Sequence, residues 1–131
     1  MRLIILGAGG YGRMIADLAQ QTGQYDEISF LDDHAEGEKV VGRCDEFGKF
    51  IDAGTELYPA FGNNEGRLSW LDRLIEHGAA VPTIIHRTAY VSPTAELEQG
   101  VTVLPMAVVN TGCHVERGCI INSGAIIDHD C

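Results

Sequence analysis

The feature that most constrains this fold is a six-residue period that runs from residue 85 to residue 131. The first position of each hexad is aliphatic: Ile85, Val91, Leu97, Val103, Val109, Val115, Ile121 and Ile127. The fifth position is small or modestly apolar: Ala89, Ala95, Val101, Ala107, Cys113, Cys119, Ala125 and Cys131. An α-helix repeats every 3.6 residues and a strand every two, so neither element explains the pattern over this length.

A period of six is typical of a hexapeptide β-helix, in which each hexad forms one side of a triangular coil. The aliphatic residues are expected to point inward, and residues separated by three hexads are expected to stack. Prisms of this type wind left-handed, an exception to the usual right-handed crossover. Ordinary strands and turns are the alternative. Because the hexads stop without a cap, we expect a C-terminally truncated piece of a longer chain.

Residues 1–84 show a different organisation, which begins with a buried strand at Arg2–Leu6. The strand runs into a G-x-G-x-x-G match: Gly7, Ala8, Gly9, Gly10, Tyr11 and Gly12. A helix follows, with one apolar face: Met14, Ile15, Leu18 and Ala19. Glycines after a strand let the backbone approach a phosphate, and the helix N-terminus supplies N–H donors. The alternative is a turn that only packs the helix on the sheet.

Two more predicted strands also end in polar residues. The strand Glu27–Leu31 ends at Asp32 and Asp33, where an acidic residue usually meets a ribose hydroxyl; a solvated turn is the alternative. The strand Glu56–Phe61 contains an awkward proline. Its continuation is polar: Gly62, Asn63 and Asn64.

The remaining segments of this half are a predicted helix and an unassigned stretch. The helix covers residues 65–77 and stops at Gly78. Its predicted core side chains are Leu68, Trp70, Leu71, Leu74 and Ile75. Residues 34–55 are rich in glycine and charge and receive no assignment.

These patterns predict an α/β fold: a small Rossmann-like parallel sheet domain over residues 1–84, then a short left-handed parallel β-helix over residues 85–131. The first domain has room for only one mononucleotide-binding half. A nucleotide sugar therefore fits it better than NAD.

Net charge and cysteine spacing disfavour several classes of protein. Nine Lys+Arg stand against 19 Asp+Glu, a formal charge of −10, which disfavours binding to nucleic acid or to an anionic membrane. No apolar run approaches the roughly 20 residues of a membrane span. The short apolar N-terminus is interpreted as a strand of a cytoplasmic protein. The four cysteines form no C-x-x-C pair, and no disulfide framework is predicted.

Individual histidines and cysteines also have plain interpretations. We predict surface positions for three histidines: His34, His77 and His86. His114 is placed at a prism corner, and no metal site is predicted, because the H-x-x-x-x-H pattern of zinc-binding prisms is absent. Cys113 and Cys131 are separated by three hexads, so they are predicted to stack as small buried thiols.

The ordered stretches LGAGGYGRMIADLA, SFLDD, FGNNEGR, IHRTAYVSPTA, VVN and INSGAIIDHDC resemble bacterial sugar acetyltransferases of pilin and N-glycan glycosylation and of sialic acid O-acetylation. The resemblance implies a homotrimer, acetyl-CoA as donor, and a UDP-linked amino sugar or sialic acid as acceptor. It also implies that the nucleotide lies against Gly7–Gly12, Asp32, Asp33 and the turn at residues 62–64.

The same resemblance assigns the base of the reaction to His129, in a late-prism H-[ED]-C motif, with Asp130 beside it and Asn122 positioning the acceptor. A neutral imidazole can take a proton from an attacking amine or hydroxyl, and a carboxylate can fix its tautomer. A solvated corner residue is the alternative for His129. The chain departs from the family at Tyr11, where many members have histidine. It also stops two residues after His129, so we expect poor CoA binding.

Three functional hypotheses follow from the sequence. The first is a sugar acetyltransferase. The second is a non-catalytic fragment that binds a nucleotide sugar or forms a trimer. The third, an NAD-dependent oxidoreductase, has only the glycine motif in its favour.

Overall fold

The computed structural model describes all 131 residues, and its backbone divides into two compact units. The first unit spans Met1–Pro82 and the second spans Thr83–Cys131. Each unit has its own buried apolar cluster. None of the helices is both long enough and apolar enough to cross a membrane.

A four-stranded parallel sheet lies at the centre of the first unit. Its strands are β1 (Arg2–Leu6), β2 (Glu27–Leu31), β3 (Val40–Gly42) and β4 (Thr55–Pro59). They lie side by side in the order β3-β2-β1-β4. The four residues from Leu3 to Leu6 are fully buried, as expected for a parallel strand covered on both faces. The predicted bounds of β1 and β2 are confirmed. Strand β4 begins one residue earlier and ends two residues earlier than the predicted range of 56–61.

Two α-helices accompany the sheet, close to their predicted positions. Helix α1 covers Gly10–Thr22 and helix α2 covers Asn64–Glu76. The buried side chains on their inner faces are Ile15, Leu18 and Ala19 of α1, and Leu71 and Leu74 of α2. Met14 is only half-buried, and Trp70 packs from the edge of the core against Phe47 and Phe61.

Residues 34–55, which the sequence left unassigned, contain β3 and a short 3₁₀ helix at Cys44–Phe50. Polar contacts hold this segment in place. The backbone N–H of Cys44 donates to the Asp33 carboxylate at 3.0 Å, and that of Arg43 donates to the Glu46 carboxylate at 2.7 Å. Both elements are too short to show a hydrophobic period, which is why sequence patterning missed them.

The proline in β4 is accommodated because its missing N–H would have faced away from the sheet. The Ala60 N–H donates to the Leu6 carbonyl of β1, whereas the Leu57 N–H points the opposite way, to the Ala80 carbonyl. Alternation along the strand gives Pro59 the same orientation as Leu57. No bond of the β1–β4 ladder is therefore lost.

The second unit is a β-helix built from two-residue strands. They are β5 (Ile84–Ile85), β6 (Tyr90–Val91), β7 (Glu96–Leu97), β8 (Thr102–Val103), β9 (Val108–Val109), β10 (His114–Val115), β11 (Ile120–Ile121) and β12 (Ile126–Ile127). They form three parallel sheets, in the orders β11-β8-β5, β12-β9-β6 and β10-β7. Each strand pairs with the strand three hexads away, for example His114 with Glu96, so the predicted stacking is confirmed.

The two predicted columns of apolar residues fill the prism, with one exception at each end. Val103, Val109 and Cys113 are buried in its core. Ile85 is 38% exposed, contrary to the prediction, because β5 is an edge strand with no coil of this unit on its other side. Cys131 is exposed as well, so the prediction of a buried thiol there was wrong, although its carbonyl accepts from the His114 N–H at 2.9 Å.

The predicted surface position of His86 was also wrong. His86 is only 8% exposed. Its ring folds back onto the next turn, where Nδ1 accepts the backbone N–H of Thr88 at 3.1 Å. This local hydrogen bond compensates the burial of a polar ring.

Six corners of the prism share one backbone conformation. The fourth position of six consecutive hexads has a positive φ, between 59° and 74°: Gly100, Met106, Gly112, Gly118, Gly124 and Asp130. An L-residue in this left-handed region costs about 1–2 kcal/mol, and aspartate tolerates it better than most. Met106 and Asp130 are therefore the corners where a side chain is kept at an energetic cost.

Candidate functional site

The glycine turn, Asp32 and the turn after β4 meet at one edge of the first unit. All three segments follow the carboxyl ends of neighbouring parallel strands, which is where open α/β sheets bind ligands. Two backbone hydrogen bonds fix the strand ends. The Gly7 N–H donates to the Leu31 carbonyl, and the Ala60 N–H donates to the Leu6 carbonyl, both at 2.8 Å.

Glycine occupies the three positions of the G-x-G-x-x-G motif for different structural reasons. Gly7 has a φ of +101°, and a Cβ there would lie 2.8 Å from the Ala60 carbonyl oxygen. A Cβ on Gly12 would collide with the Gly7 carbonyl, so this glycine allows the close approach of helix and turn. A Cβ on Gly9 would meet nothing within 4 Å. Gly9 is therefore the position where the backbone stays open for a ligand.

Asp32 organises the loops beside the glycine turn. Its carboxylate accepts the backbone N–H groups of Ala35 at 2.6 Å, Ala8 at 2.8 Å and His34 at 2.8 Å. These hydrogen bonds, with that of Ala35 contributing most, lower the pKa of Asp32 below its ordinary value. Asp33 instead accepts from Cys44, so the two aspartates have different partners.

The turn after β4 is held by its own side chains and by a buried arginine. The Asn63 side chain caps α2 by accepting the Gly66 N–H at 2.7 Å. Arg67, only 5% exposed, donates to the carbonyls of Phe61 at 3.1 Å and Gly62 at 3.3 Å and to the Asn64 side chain at 2.8 Å. Sequence reasoning missed Arg67, although a charged residue at a core-facing position of α2 was a visible clue.

Tyr11, in the glycine turn, is tied to the core of the same unit. Its hydroxyl lies 3.0 Å from that of Tyr58, which is fully buried, and the two rings meet edge-on at 6.5 Å. This contact holds the Tyr11 ring at the start of α1.

These segments enclose a cleft of about 480 Å³. Its lining residues are Gly7, Gly9, Gly10, Tyr11, Asp32, Ala60, Phe61, Gly62 and Asn63. A second cleft, of about 270 Å³, shares Asp32 and is lined by the loop at residues 34–43. The structure thus brings together most of the predicted binding residues of this unit, whereas Ala8, Gly12, Asp33 and Asn64 do not line the cleft.

The second unit carries the predicted base at a prism corner. The Nδ1 atom of His129 lies 2.9 Å from Oδ2 of Asp130, and both side chains are largely exposed, at 71% and 75%. An ionised carboxylate can only accept a hydrogen bond, so in the neutral ring Nδ1 carries the proton. The Nε2 atom is then left with a lone pair.

The turn that carries His129 is fastened to the preceding coil. The Cys113 thiol donates to the Asp128 carbonyl at 2.9 Å, and the Asp130 N–H donates to the Thr111 carbonyl at 2.8 Å. Within the turn, the His129 N–H donates to the Asp128 carboxylate at 2.8 Å. The backbone around His129 is therefore fixed, although its side chain faces solvent.

Asn122 is exposed, and its side-chain oxygen accepts the N–H of the adjacent Ser123 at 3.0 Å. That contact is local and does not connect Asn122 to His129. No group of three or more His, Cys, Asp and Glu side chains is placed to hold a metal ion.

The first unit is an α/β domain with a parallel sheet and a glycine turn, and the second is a hexapeptide-repeat β-helix. These two domains, in this order, define a class of two-domain proteins. Within that class, the model of the family described as the PglD N-terminal domain matches residues 2–74. The match covers more than half of the chain, and the chain belongs to this family.

Two of the similar proteins are named as acetyltransferases. The GDP-perosamine N-acetyltransferase of Escherichia coli O157:H7 is 27% identical to this chain. The alignment covers 97% of this chain and 62% of the length of that enzyme. The acetyltransferase domain of PglB from Neisseria gonorrhoeae FA1090, in complex with acetyl coenzyme A, matches with a TM-score of 0.94 and 36% identity over 99% of this chain and 65% of that chain. These matches confirm the resemblance to sugar acetyltransferases.

A further similar structure is PerB from Caulobacter crescentus, in complex with CoA and GDP-perosamine. Its TM-score is 0.90 at 28% identity, over 100% of this chain and 64% of that chain. This chain thus spans less than two thirds of the length of these relatives.

Proposed function

We propose that this chain belongs to an acetyltransferase that moves an acetyl group from acetyl-CoA to the amino group of a nucleotide-linked amino sugar. The observation that carries the proposal is the His129–Asp130 hydrogen bond on the prism, in a chain of this family. One named relative is a GDP-perosamine N-acetyltransferase, and the PerB structure contains GDP-perosamine, which favours an amine over a hydroxyl acceptor.

The first unit is proposed to bind the nucleotide part. The open backbone at Gly9 and the N-terminus of α1 offer N–H donors to a diphosphate, which suits a chain whose net charge of −10 would otherwise repel it. Asp32 and the turn at Gly62 and Asn63 line the same cleft. The resemblance implied a UDP sugar, whereas the PerB structure contains GDP-perosamine. We therefore propose a nucleoside diphosphate sugar, and the calorimetric titration described below distinguishes the two nucleobases.

His129 is proposed as the general base. The Nε2 lone pair accepts a proton from the sugar amine while the nitrogen forms a bond to the thioester carbonyl carbon. The C–S bond then breaks, and the proton passes to the departing thiolate of CoA. Asp130 holds the ring in the required tautomer and stabilises the imidazolium. No covalent intermediate on the protein is required.

The prism is proposed to assemble into a homotrimer. Val91, Val109 and Ile127 point into the core, so the alternate residues of the same strands form an outward row. The row consists of Tyr90, Val108 and Ile126, and its outer members are 53% and 73% exposed. Burial of such a row against another copy of the chain would remove apolar surface from water.

The test is calorimetric titration of the chain with a UDP-linked and a GDP-linked amino sugar, with NADH and acetyl-CoA as comparisons. Binding of one nucleotide sugar, without NADH, is expected. Binding of NADH instead would support an oxidoreductase. If none of the four ligands binds, the hypothesis of a non-catalytic, purely structural fragment would be favoured.

The base is tested by turnover, followed as the release of free thiol. The variant His129→Gln is expected to lose roughly 100-fold or more in kcat, while the Kd of the nucleotide sugar stays unchanged. His77→Gln, at an exposed histidine that follows α2 in the other unit, is the matched control. Near-normal turnover of His129→Gln would remove His129 from the mechanism.

A further inference from the structure

We infer that Gly112 is a positioning residue for the His129–Asp130 pair, an inference that rests on the proposed role of His129 as base. Gly112 and Asp130 occupy equivalent corners separated by three hexads, and both have the left-handed conformation. Gly112 lacks a side chain at the place where the Asp130 carboxylate lies.

The space beside Gly112 is filled by Asp130. A Cβ on Gly112 would collide with Oδ1 of Asp130, and it would lie 3.5 Å from Cγ and 3.8 Å from Cα. The Asp130 backbone cannot easily retreat, because its N–H donates to the Thr111 carbonyl. The carboxylate would have to rotate instead, and Oδ2 would leave Nδ1 of His129.

The position of Gly112 is itself fixed by the neighbouring coil. Its N–H donates to Oγ1 of Thr94 at 3.1 Å, and that oxygen lies 3.0 Å from the hydroxyl of Ser92, which is 4% exposed. The buried Ser92 is thus connected through the corners at Thr94 and Gly112 to the Asp130 carboxylate. The column of Thr94, Gly112 and Asp130 therefore sets the orientation of the base.

The chemical consequence concerns the tautomer of His129. With the carboxylate on Nδ1, the proton stays on Nδ1 and Nε2 is the basic atom. With the carboxylate displaced, both tautomers of an exposed imidazole are populated. Gly112 would then act on the reaction without contact with any reacting atom.

The chain offers a matched control at another corner. Gly124 has a φ of +72°, against +73° at Gly112, but a Cβ there would meet nothing within 4 Å. Gly112→Ala and Gly124→Ala therefore introduce the same backbone strain, and only the first disturbs Asp130. Nitrogen-15 NMR reports the His129 tautomer without any substrate.

We expect wild type and Gly124→Ala to show a His129 ring protonated on Nδ1, and Gly112→Ala to show a mixture. In turnover assays, Gly112→Ala is expected to lose roughly 10- to 100-fold in kcat relative to Gly124→Ala. The same tautomer in all three proteins, or a wild-type ring protonated on Nε2, would overturn the inference. A tautomer change in Gly112→Ala without any loss of kcat would instead count against the proposed role of His129 as the base.

A double-mutant cycle keeps the inference testable if Gly112→Ala folds poorly. Asp130→Gly removes the group that the new Cβ would strike. In that background, Gly112→Ala and Gly124→Ala should lower Tm equally, whereas in the wild-type background Gly112→Ala should lower it more. Equal losses in both backgrounds would show that Gly112 does not act on Asp130.

Discussion

Replacement of Arg67 by methionine tests whether a buried guanidinium holds the turn that lines the cleft. Methionine keeps most of the apolar stem of the side chain, so the packing of α2 against the sheet changes little. The lost contacts include the donations to the carbonyls of Phe61 and Gly62 and to the Asn64 side chain. Of these acceptor residues, only Phe61 is half-buried, and the other two are exposed.

The size of the effect follows from that difference in exposure. A hydrogen bond from a charged donor contributes about 1.5–3 kcal/mol, but water can replace the partner at an exposed acceptor. One bond lost in full and two lost in part predict a decrease of about 2–4 kcal/mol in the free energy of unfolding of the first unit. Binding of the proposed nucleotide sugar should also weaken, since Gly62 lines the cleft.

The assay is urea unfolding followed by the fluorescence of Trp70, the single tryptophan, whose ring stacks on Phe61 at 6.2 Å. Arg73→Met is the control, because Arg73 is an exposed arginine of the same helix that lies over the Trp70 ring at 4.6 Å. That contact predicts a loss of about 1 kcal/mol or less. Equal losses for the two variants, or a loss below about 1 kcal/mol for Arg67→Met, would refute the assigned role of the buried guanidinium.

Three further predictions concern other elements. Met106→Gly relieves a left-handed corner whose side chain is 68% exposed, and should raise the free energy of unfolding by about 1 kcal/mol, measured as an increase in Tm. Asp32→Asn loses at least one of three backbone hydrogen bonds; it should destabilise the first unit by about 1–3 kcal/mol at pH 7 in urea unfolding. Because the folded pKa of Asp32 is lowered, that difference should fade as pH falls through it. The Glu98 carboxylate, 2.5 Å from Nε2 of His114, raises the pKa of His114 above 6.5, while His114 lowers the pKa of Glu98 below 4.5. The pair should therefore stabilise the fold most between about pH 4.5 and 6.5 and lose its effect as pH rises through the His114 pKa; NMR titration of Glu98→Gln should show the His114 pKa moving back toward 6.5.

Much of the candidate site was predictable from the sequence. The glycine turn, Asp32 and the polar turn after β4 each follow a strand, and parallel strands place their carboxyl ends at one edge. The hydrogen-bond partners of Arg67 and Tyr58 were not predictable. One is a charged residue whose partners are mostly backbone carbonyls, and the other is a hydroxyl whose partner, Tyr11, is distant in the chain. Neither kind of contact leaves a period or a motif.

The sequence by itself determined the prism and its register. An inward-pointing side chain recurs once per hexad. The packing of the prism therefore appears in the sequence as a local period, which can be recognised without a structure. Ile85 and Cys131 depart from it because burial at the ends of the prism depends on what covers them, not on the repeat.

Only the tertiary structure decided how His129 is held. Its carboxylate partner is adjacent in sequence, but the direction of that carboxylate depends on Gly112, which lies three hexads earlier and touches Asp130 only when the coils stack. The same holds for the loops around Asp32, which are joined by hydrogen bonds between segments that the chain itself keeps apart. Hydrogen-bond geometry depends on positions in space, and local sequence patterns do not specify those positions.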